Sequence, residues 1–180
     1  TPMNSSAASD VYKRQFNYDK VSNGQEGLTI LFAAGNDGPN PGTVGSPSTA
    51  KNVVTVGNHQ ARYSGAPDNL MSGSSRGPTD DGRIKPDIIA PGGYVRSCRA
   101  QEAQDIGSSS WQSTWYLEYT GASMATPNAA GAATLIREYL IEIAQRPSPQ
   151  GALVKALLVL GAQDINCLLY TSDAADEFMG

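Results

Sequence analysis

An alanine-rich helix that begins in a glycine and serine turn constrains the fold of this chain most strongly. The turn, residues 119–127, reads Tyr-Thr-Gly-Ala-Ser-Met-Ala-Thr-Pro. Small side chains fill the first helical turns: Ala125, Ala129, Ala130, Gly131 and Ala132. An apolar stripe follows at three- and four-residue spacing: Ala133, Ile136, Leu140 and Ile143. Because small side chains allow close approach, the sequence predicts a helix packed directly on neighbouring strands.

Ser123 stands at the predicted start of this helix, where two interpretations are open. Backbone N–H groups in a first helical turn have no intrahelical partner, and the helix dipole adds partial positive charge. A developing oxyanion would be stabilised there, which suits a serine nucleophile for acyl transfer. Alternatively, Ser123 only caps the helix, as serines often do.

A second segment, residues 28–38, is an apolar run that breaks into a polar turn at Asn36. The run predicts a buried strand over Leu28–Ala34. Asn36 then lies at the carboxyl end of that strand, where parallel sheets place ligand and catalytic groups. Its amide can donate to an oxyanion, although an Asn-Asp-Gly turn is also chosen for backbone shape alone.

The remaining segments alternate between strands and helices. Short strands are predicted at Val53–Val56 and Ile88–Ala90, and a surface loop is predicted at Ala100–Thr114. Ser148 and Pro149 have the positions of an N-cap and a first helical residue before a second helix. The pattern is that of an α/β fold with a parallel sheet flanked by helices.

Three motifs in order resemble the subtilisin-like serine proteases. Gly121–Pro127 is similar to their serine motif, and Ala33–Gly38 is similar to their oxyanion motif. A third block, Ser74–Pro78 followed by Lys85–Gly92, is similar to the segment between those two sites. The resemblance covers residues 28–165 and looks closest to the alkaline proteases that carry a C-terminal β-sandwich. It implies a partial subtilisin-like parallel sheet flanked by helices.

The resemblance also implies an activity. A serine endopeptidase would hydrolyse peptide bonds through an acyl-enzyme on Ser123, with Asn36 in the oxyanion hole. Ala122 departs from the family motif, which has a threonine there whose hydroxyl is regarded as an auxiliary donor. The resemblance places Ala33, Ala34, Gly35 and Gly45 around the primary specificity pocket, with Asp37 at its rim. Bulky apolar side chains are the expected preference.

The base and the orienting acid of a catalytic triad are not found in this sequence. The one histidine, His59, follows Asn36, whereas the family's aspartate and histidine motifs precede the oxyanion asparagine. No Asp-(Ser or Thr)-Gly or His-Gly motif occurs. Without a base, Ser123 is a weak nucleophile. The chain is therefore interpreted as the C-terminal part of a catalytic domain, inactive alone. The alternative is a non-catalytic module that keeps the subtilisin fold for binding or structure.

Both ends of the chain differ from the protease pattern. Residues 1–15 and 167–180 resemble translated adapter sequence and are expected to be non-native. The protease part is then predicted over residues 16–166.

Charge and family resemblance limit the classes of partner that are expected for this chain. A net charge of −4 with no basic run argues against nucleic acid and anionic membranes. Protein or peptide substrates, a monomer at full length and an extracellular location are expected from the resemblance alone.

No cofactor is expected for the chemistry, but the resemblance implies that calcium can bind as a structural ion. The candidate ligands are backbone carbonyls near Ser48, Ala50 and Val53 and the carboxylate of Asp87. Asp87 serves equally well as a turn-stabilising carboxylate. No metal site is assigned from the sequence.

Overall fold

The computed structural model describes residues 28–60, 69–99, 111–163 and 165. The expectations for residues 1–15 and 167–180, and most of the loop predicted at 100–114, lie outside the described residues.

A parallel three-stranded sheet lies at the centre of the described part. Its strands are β1 (Leu31–Ala33), β2 (Val54–Gln60) and β3 (Ile88–Gly93), paired in the order β1-β2-β3. The sequence predicted all three strands. The predicted β1 is longer than the observed strand, and the predicted β2 and β3 are shorter than the observed ones. The sheet is parallel, so the carboxyl ends of its strands meet at one edge, and the turn that carries Asn36 leaves from that edge.

Helix α1 (Ala122–Glu142) packs on this sheet, and α2 (Gly151–Leu160) packs against α1. The buried core joins the two helices to β2 and β3. It consists of Val54, Val56, Ala90, Ala125, Ala129, Ala133, Leu140, Val154 and Leu158. Three alanines of α1 lie in this cluster, which confirms the predicted close packing. The α/β class is therefore confirmed.

A second sheet of three antiparallel strands was not predicted. Strands β4 (Val95–Cys98), β5 (Trp111–Gln112) and β6 (Tyr116–Tyr119) pair in the order β4-β6-β5. Strand β6 leads directly into the turn before α1. The second sheet therefore supports the chain segment that precedes Ser123.

The helix ends differ from the sequence prediction. Helix α1 ends at Glu142, and Ile143, expected in the buried stripe, is the C-cap residue and 67% exposed. Helix α2 begins after Gln150 rather than after Ser148. Gly151, its first residue, packs tightly against the segment before β1, since a Cβ there would lie 2.2 Å from the carbonyl oxygen of Leu28.

Candidate active site

Ser123 lies in the first turn of α1 and does not cap it. The N-cap is Gly121, whose φ of 157° and ψ of 168° suit glycine. Its carbonyl accepts hydrogen bonds from the backbone N–H groups of Met124 at 3.0 Å and Ala125 at 3.3 Å. The Ser123 side chain is exposed. Of the two interpretations of this serine, helix capping does not describe its position.

Asn36 is hydrogen-bonded to the residue before Ser123. The backbone N–H of Ala122 donates to Asn36 Oδ1 at 2.9 Å, across 86 residues of sequence. An N–H needs an acceptor, so this contact assigns the amide oxygen to that side and turns Nδ2 away. Within the described part of the chain, neither Asn36 Nδ2 nor the Ser123 N–H has another hydrogen-bond partner. Two donors therefore stay available beside the serine.

The turn that carries Asn36 is held by a serine that the sequence analysis did not single out. Ser75 Oγ accepts from the backbone N–H of Asp37 at 3.0 Å, and the Ser75 N–H donates to the Gly35 carbonyl at 3.1 Å. Gly35 has a φ of 111°, and a Cβ there would lie 2.7 Å from Ser75 Oγ. The turn thus requires glycine beside Ser75. The only signal for Ser75 was its place in the third family-like block.

Hydrogen bonds to the backbone of β3 hold the start of α1 in place. The N–H of Gly121 donates to the Gly92 carbonyl at 2.8 Å. Asn128 Nδ2 donates to the Pro91 carbonyl at 2.8 Å and to the Met124 carbonyl at 3.3 Å. A Cβ on Gly92 would lie 2.7 Å from the Gly121 carbonyl oxygen. The turn before Ser123 therefore sits directly on the strand.

His59 lies in strand β2, and its backbone and side chain make contacts within the sheet and its surroundings. It pairs with Pro91 of β3 and forms a bridge to Leu70. Its Nδ1 lies 2.7 Å from the carbonyl oxygen of Gln60, and because a carbonyl only accepts, Nδ1 carries the proton. No hydrogen bond joins His59 to Ser123 within residues 28–60, 69–99 and 111–163. The structure therefore gives no support to His59 as a base.

The residues expected around a specificity pocket follow β1 and the loop after it. Ala34 is buried and donates to the Val56 carbonyl at 2.8 Å, whereas Asp37 and Gly45 are exposed. The loop is anchored on both sides of Gly45. Thr43 N–H donates to the Arg76 carbonyl at 2.8 Å, and Ser48 Oγ donates to the Ala33 carbonyl at 2.5 Å.

Three of the four oxygens considered for calcium, those of Ser48, Val53 and Asp87, are engaged by other groups of the protein. Thr55 Oγ1 donates to the Ser48 carbonyl at 2.5 Å. Lys85 Nζ lies 2.6 Å from Asp87 Oδ2 and 3.2 Å from the Val53 carbonyl oxygen. Burial lowers the pKa of Lys85 below its usual value, and the hydrogen bond to Asp87 opposes that shift. A positively charged side chain thus occupies the surroundings in which a metal ion would have to sit.

No other metal cluster is found among the described residues, where no three His, Cys, Asp or Glu side chains come together. Asp81 has a different role, as an acceptor for Thr79 Oγ1 at 2.6 Å and Arg83 Nε at 2.8 Å. These hydrogen bonds, that from Arg83 first, lower the pKa of Asp81 to about 2. In the same part of the chain, neither helix is long and apolar enough to cross a membrane.

Comparisons with known proteins agree on one family. The model described as "Subtilase family" matches residues 3–176. Serine protease AprX of Bacillus subtilis (strain 168) is 40% identical over 139 residues, which cover 75% of this chain and 30% of AprX. The serine protease/ABC transporter B family protein tagD of Dictyostelium discoideum is 41% identical over 111 residues, 54% of this chain and 6% of that protein. The solved structure titled "S41 Psychrophilic Protease" is 29% identical, with a TM-score of 0.54 over 83% of this chain and 43% of that one.

Proposed function

Because the chain belongs to the subtilase family, we propose that it supplies the nucleophile and the oxyanion donors of a serine endopeptidase. Ser123 attacks the scissile carbonyl, and Asn36 Nδ2 with the Ser123 N–H stabilises the resulting oxyanion. One observation carries this proposal. The hydrogen bond from Ala122 N–H to Asn36 Oδ1 brings the two sequence motifs together and leaves both donors available.

The proposal includes a general base and an orienting acid from sequence outside these 180 residues. The chain spans less than a third of the length of the two relatives named above. A protein that joins this chain to those groups is called the complete enzyme below. No residue in the described part of the chain is hydrogen-bonded to the Ser123 hydroxyl to take its proton, and we expect no peptide hydrolysis from the chain alone. The complete enzyme would act on proteins or peptides outside the cell.

Fluorophosphonate labelling tests the nucleophile. We expect the complete enzyme to be labelled and Ser123→Ala to lose the label entirely, because the reagent reacts with an activated serine. Ser97→Ala is the matched control, since Ser97 is also exposed and lies on β4 away from the turn. Labelling that survives Ser123→Ala would assign the nucleophile elsewhere. No labelling of a folded complete enzyme would favour the non-catalytic module.

Gly45 offers a test of substrate preference. A Cβ at this position would have no neighbour within 4 Å, so Gly45→Val should leave the melting temperature unchanged. We propose that the added side chain fills pocket space instead. In the complete enzyme, kcat/KM for a peptide with phenylalanine should fall about tenfold or more relative to one with alanine, since each methylene group in a pocket contributes about 1–3 kcal/mol. An unchanged ratio would remove Gly45 from the pocket.

A further inference from the structure

Three basic side chains converge on the carbonyl oxygens of the loop before β2, and the first is Lys85, whose Nζ donates to the Val53 carbonyl at 3.2 Å. Arg83 Nη1 donates to the Thr49 carbonyl at 2.7 Å. Lys155 Nζ donates to the Lys51 carbonyl at 2.9 Å and to the Val53 carbonyl at 2.9 Å. Alternate carbonyls of one five-residue loop, at positions 49, 51 and 53, therefore each face a positive charge.

Asp87, the residue directly before β3, is the acidic member of this group. Its Oδ1 lies 3.0 Å from Lys155 Nζ and its Oδ2 lies 2.6 Å from Lys85 Nζ. Oδ2 also accepts from the backbone N–H of Thr55 at 2.7 Å. The side chain of Lys85 is 3% exposed and that of Asp87 is 14% exposed. A carboxylate at this depth is stabilised by two ammonium groups that come from different elements.

The oxygens of this cluster are of the kind that hold hard cations. Calcium takes carboxylate and backbone carbonyl oxygens as ligands. Here, Asp87 and the Val53 carbonyl are shared by the two ammonium groups at 2.6–3.2 Å. A lysine ammonium is a compact point charge with three donors, which suits several oxygens around one nitrogen. A divalent ion would have to displace both lysines or accept their repulsion.

We propose that Lys85 and Lys155 together occupy a cation site formed by Asp87 and the loop carbonyls, with their ammonium groups in place of a metal ion. The joint between β2, β3 and α2 is thereby held by the protein's own side chains. Calcium does not bind there in the native chain. Removal of both ammonium groups opens the same oxygens to calcium.

The cluster is connected to the turn that carries Asn36. Asp87 fixes the backbone of Thr55, whose hydroxyl donates to the Ser48 carbonyl. Ser48 Oγ in turn donates to the carbonyl of Ala33, the last residue of β1. The position of β1 near Asn36 thus depends on the same cluster.

Thermal melting of the 180-residue chain in CaCl₂ and in EDTA tests the proposal. The wild-type chain should melt at the same temperature in both. The double variant Lys85→Met/Lys155→Met keeps Asp87 and the carbonyls, so it should melt lower in EDTA and recover about 5 °C or more when calcium is 100-fold above its Kd. Adding Asp87→Asn to the double variant removes the carboxylate and should abolish the calcium response.

Two results would overturn the proposal. One is a calcium shift in the wild-type chain that Asp87→Asn removes, because a metal would then bind beside the lysines. The other is a folded double variant with no calcium response. If that double variant does not fold in either buffer, Lys85→Gln/Lys155→Gln takes its place, because glutamine amides still donate to the carbonyls but carry no charge. Recovery of this variant in calcium supports the proposal, and a folded variant without a calcium response contradicts it.

Discussion

Asn36→Asp is expected to lower kcat of the complete enzyme by about 100- to 1000-fold without lowering its melting temperature. An aspartate keeps the oxygen that accepts from Ala122 N–H at 2.9 Å, so the link to the start of α1 survives. The donor Nδ2 is replaced by an oxygen that repels an oxyanion. The magnitude is the loss known for removing the corresponding asparagine donor of a subtilisin. A carboxylate near a helix N-terminus is favourable, which protects the fold.

Asn40→Asp is the matched control for this experiment. Asn40 is an exposed asparagine in the same loop, and its replacement makes the same change of charge. We expect kcat of this variant to stay near that of the parent. Equal losses in both variants would attribute the effect to loop charge, and an unchanged kcat in Asn36→Asp would remove Asn36 from the oxyanion hole.

Gly92→Ala is expected to destabilise the 180-residue chain by about 3 kcal/mol, the upper part of the range for overpacking. The new Cβ would lie 2.5 Å from Asn58 Cβ, 2.7 Å from the Gly121 carbonyl oxygen and 2.9 Å from Ala125 Cβ. One of these atoms is backbone, so a rotamer change does not relieve the contact. The melting temperature should fall by about 6–12 °C, which circular dichroism measures.

Gly131→Ala is expected to shift the melting temperature in the opposite direction to Gly92→Ala. Gly131 lies inside α1, and a Cβ there would have no neighbour within 4 Å. Alanine in a helix interior is more stable than glycine by about 0.5–1 kcal/mol, so this variant should melt slightly higher. If both variants melt like the parent, then β3 and the turn before Ser123 are not in close contact.

The main elements of the fold and the two site motifs could be predicted because each has a local signal. The apolar run before Asn36 and the alanine-rich start of α1 are periodic patterns in contiguous sequence. What joins the motifs has no such signal. Ser75 holds the Asn36 turn from 38 residues away, and Lys155 binds the Val53 carbonyl from 102 residues away. Partners at such separations are set by the assembled fold.

The antiparallel sheet and the helix ends were missed for different reasons. Strands β4 and β6 have four residues each and β5 has two, too few for a clear alternation of polar and apolar side chains. Ile143 continues the three- and four-residue spacing of α1, yet the helix has ended and its side chain is exposed. Periodicity predicted an amphipathic helix but not the residue at which packing stops.

The hydrogen bond between Asn36 and Ala122 also bears on the order in which this protein folds. Its partners are 86 residues apart, so chain entropy must be lost over a long loop before the contact forms. Local turns of α1 and the pairing of neighbouring strands form earlier on this argument. Asn36 and the start of α1 therefore come together only once the sheet and helix are joined. On the proposed function, hydrolytic competence is then the last property that the complete enzyme acquires as it folds.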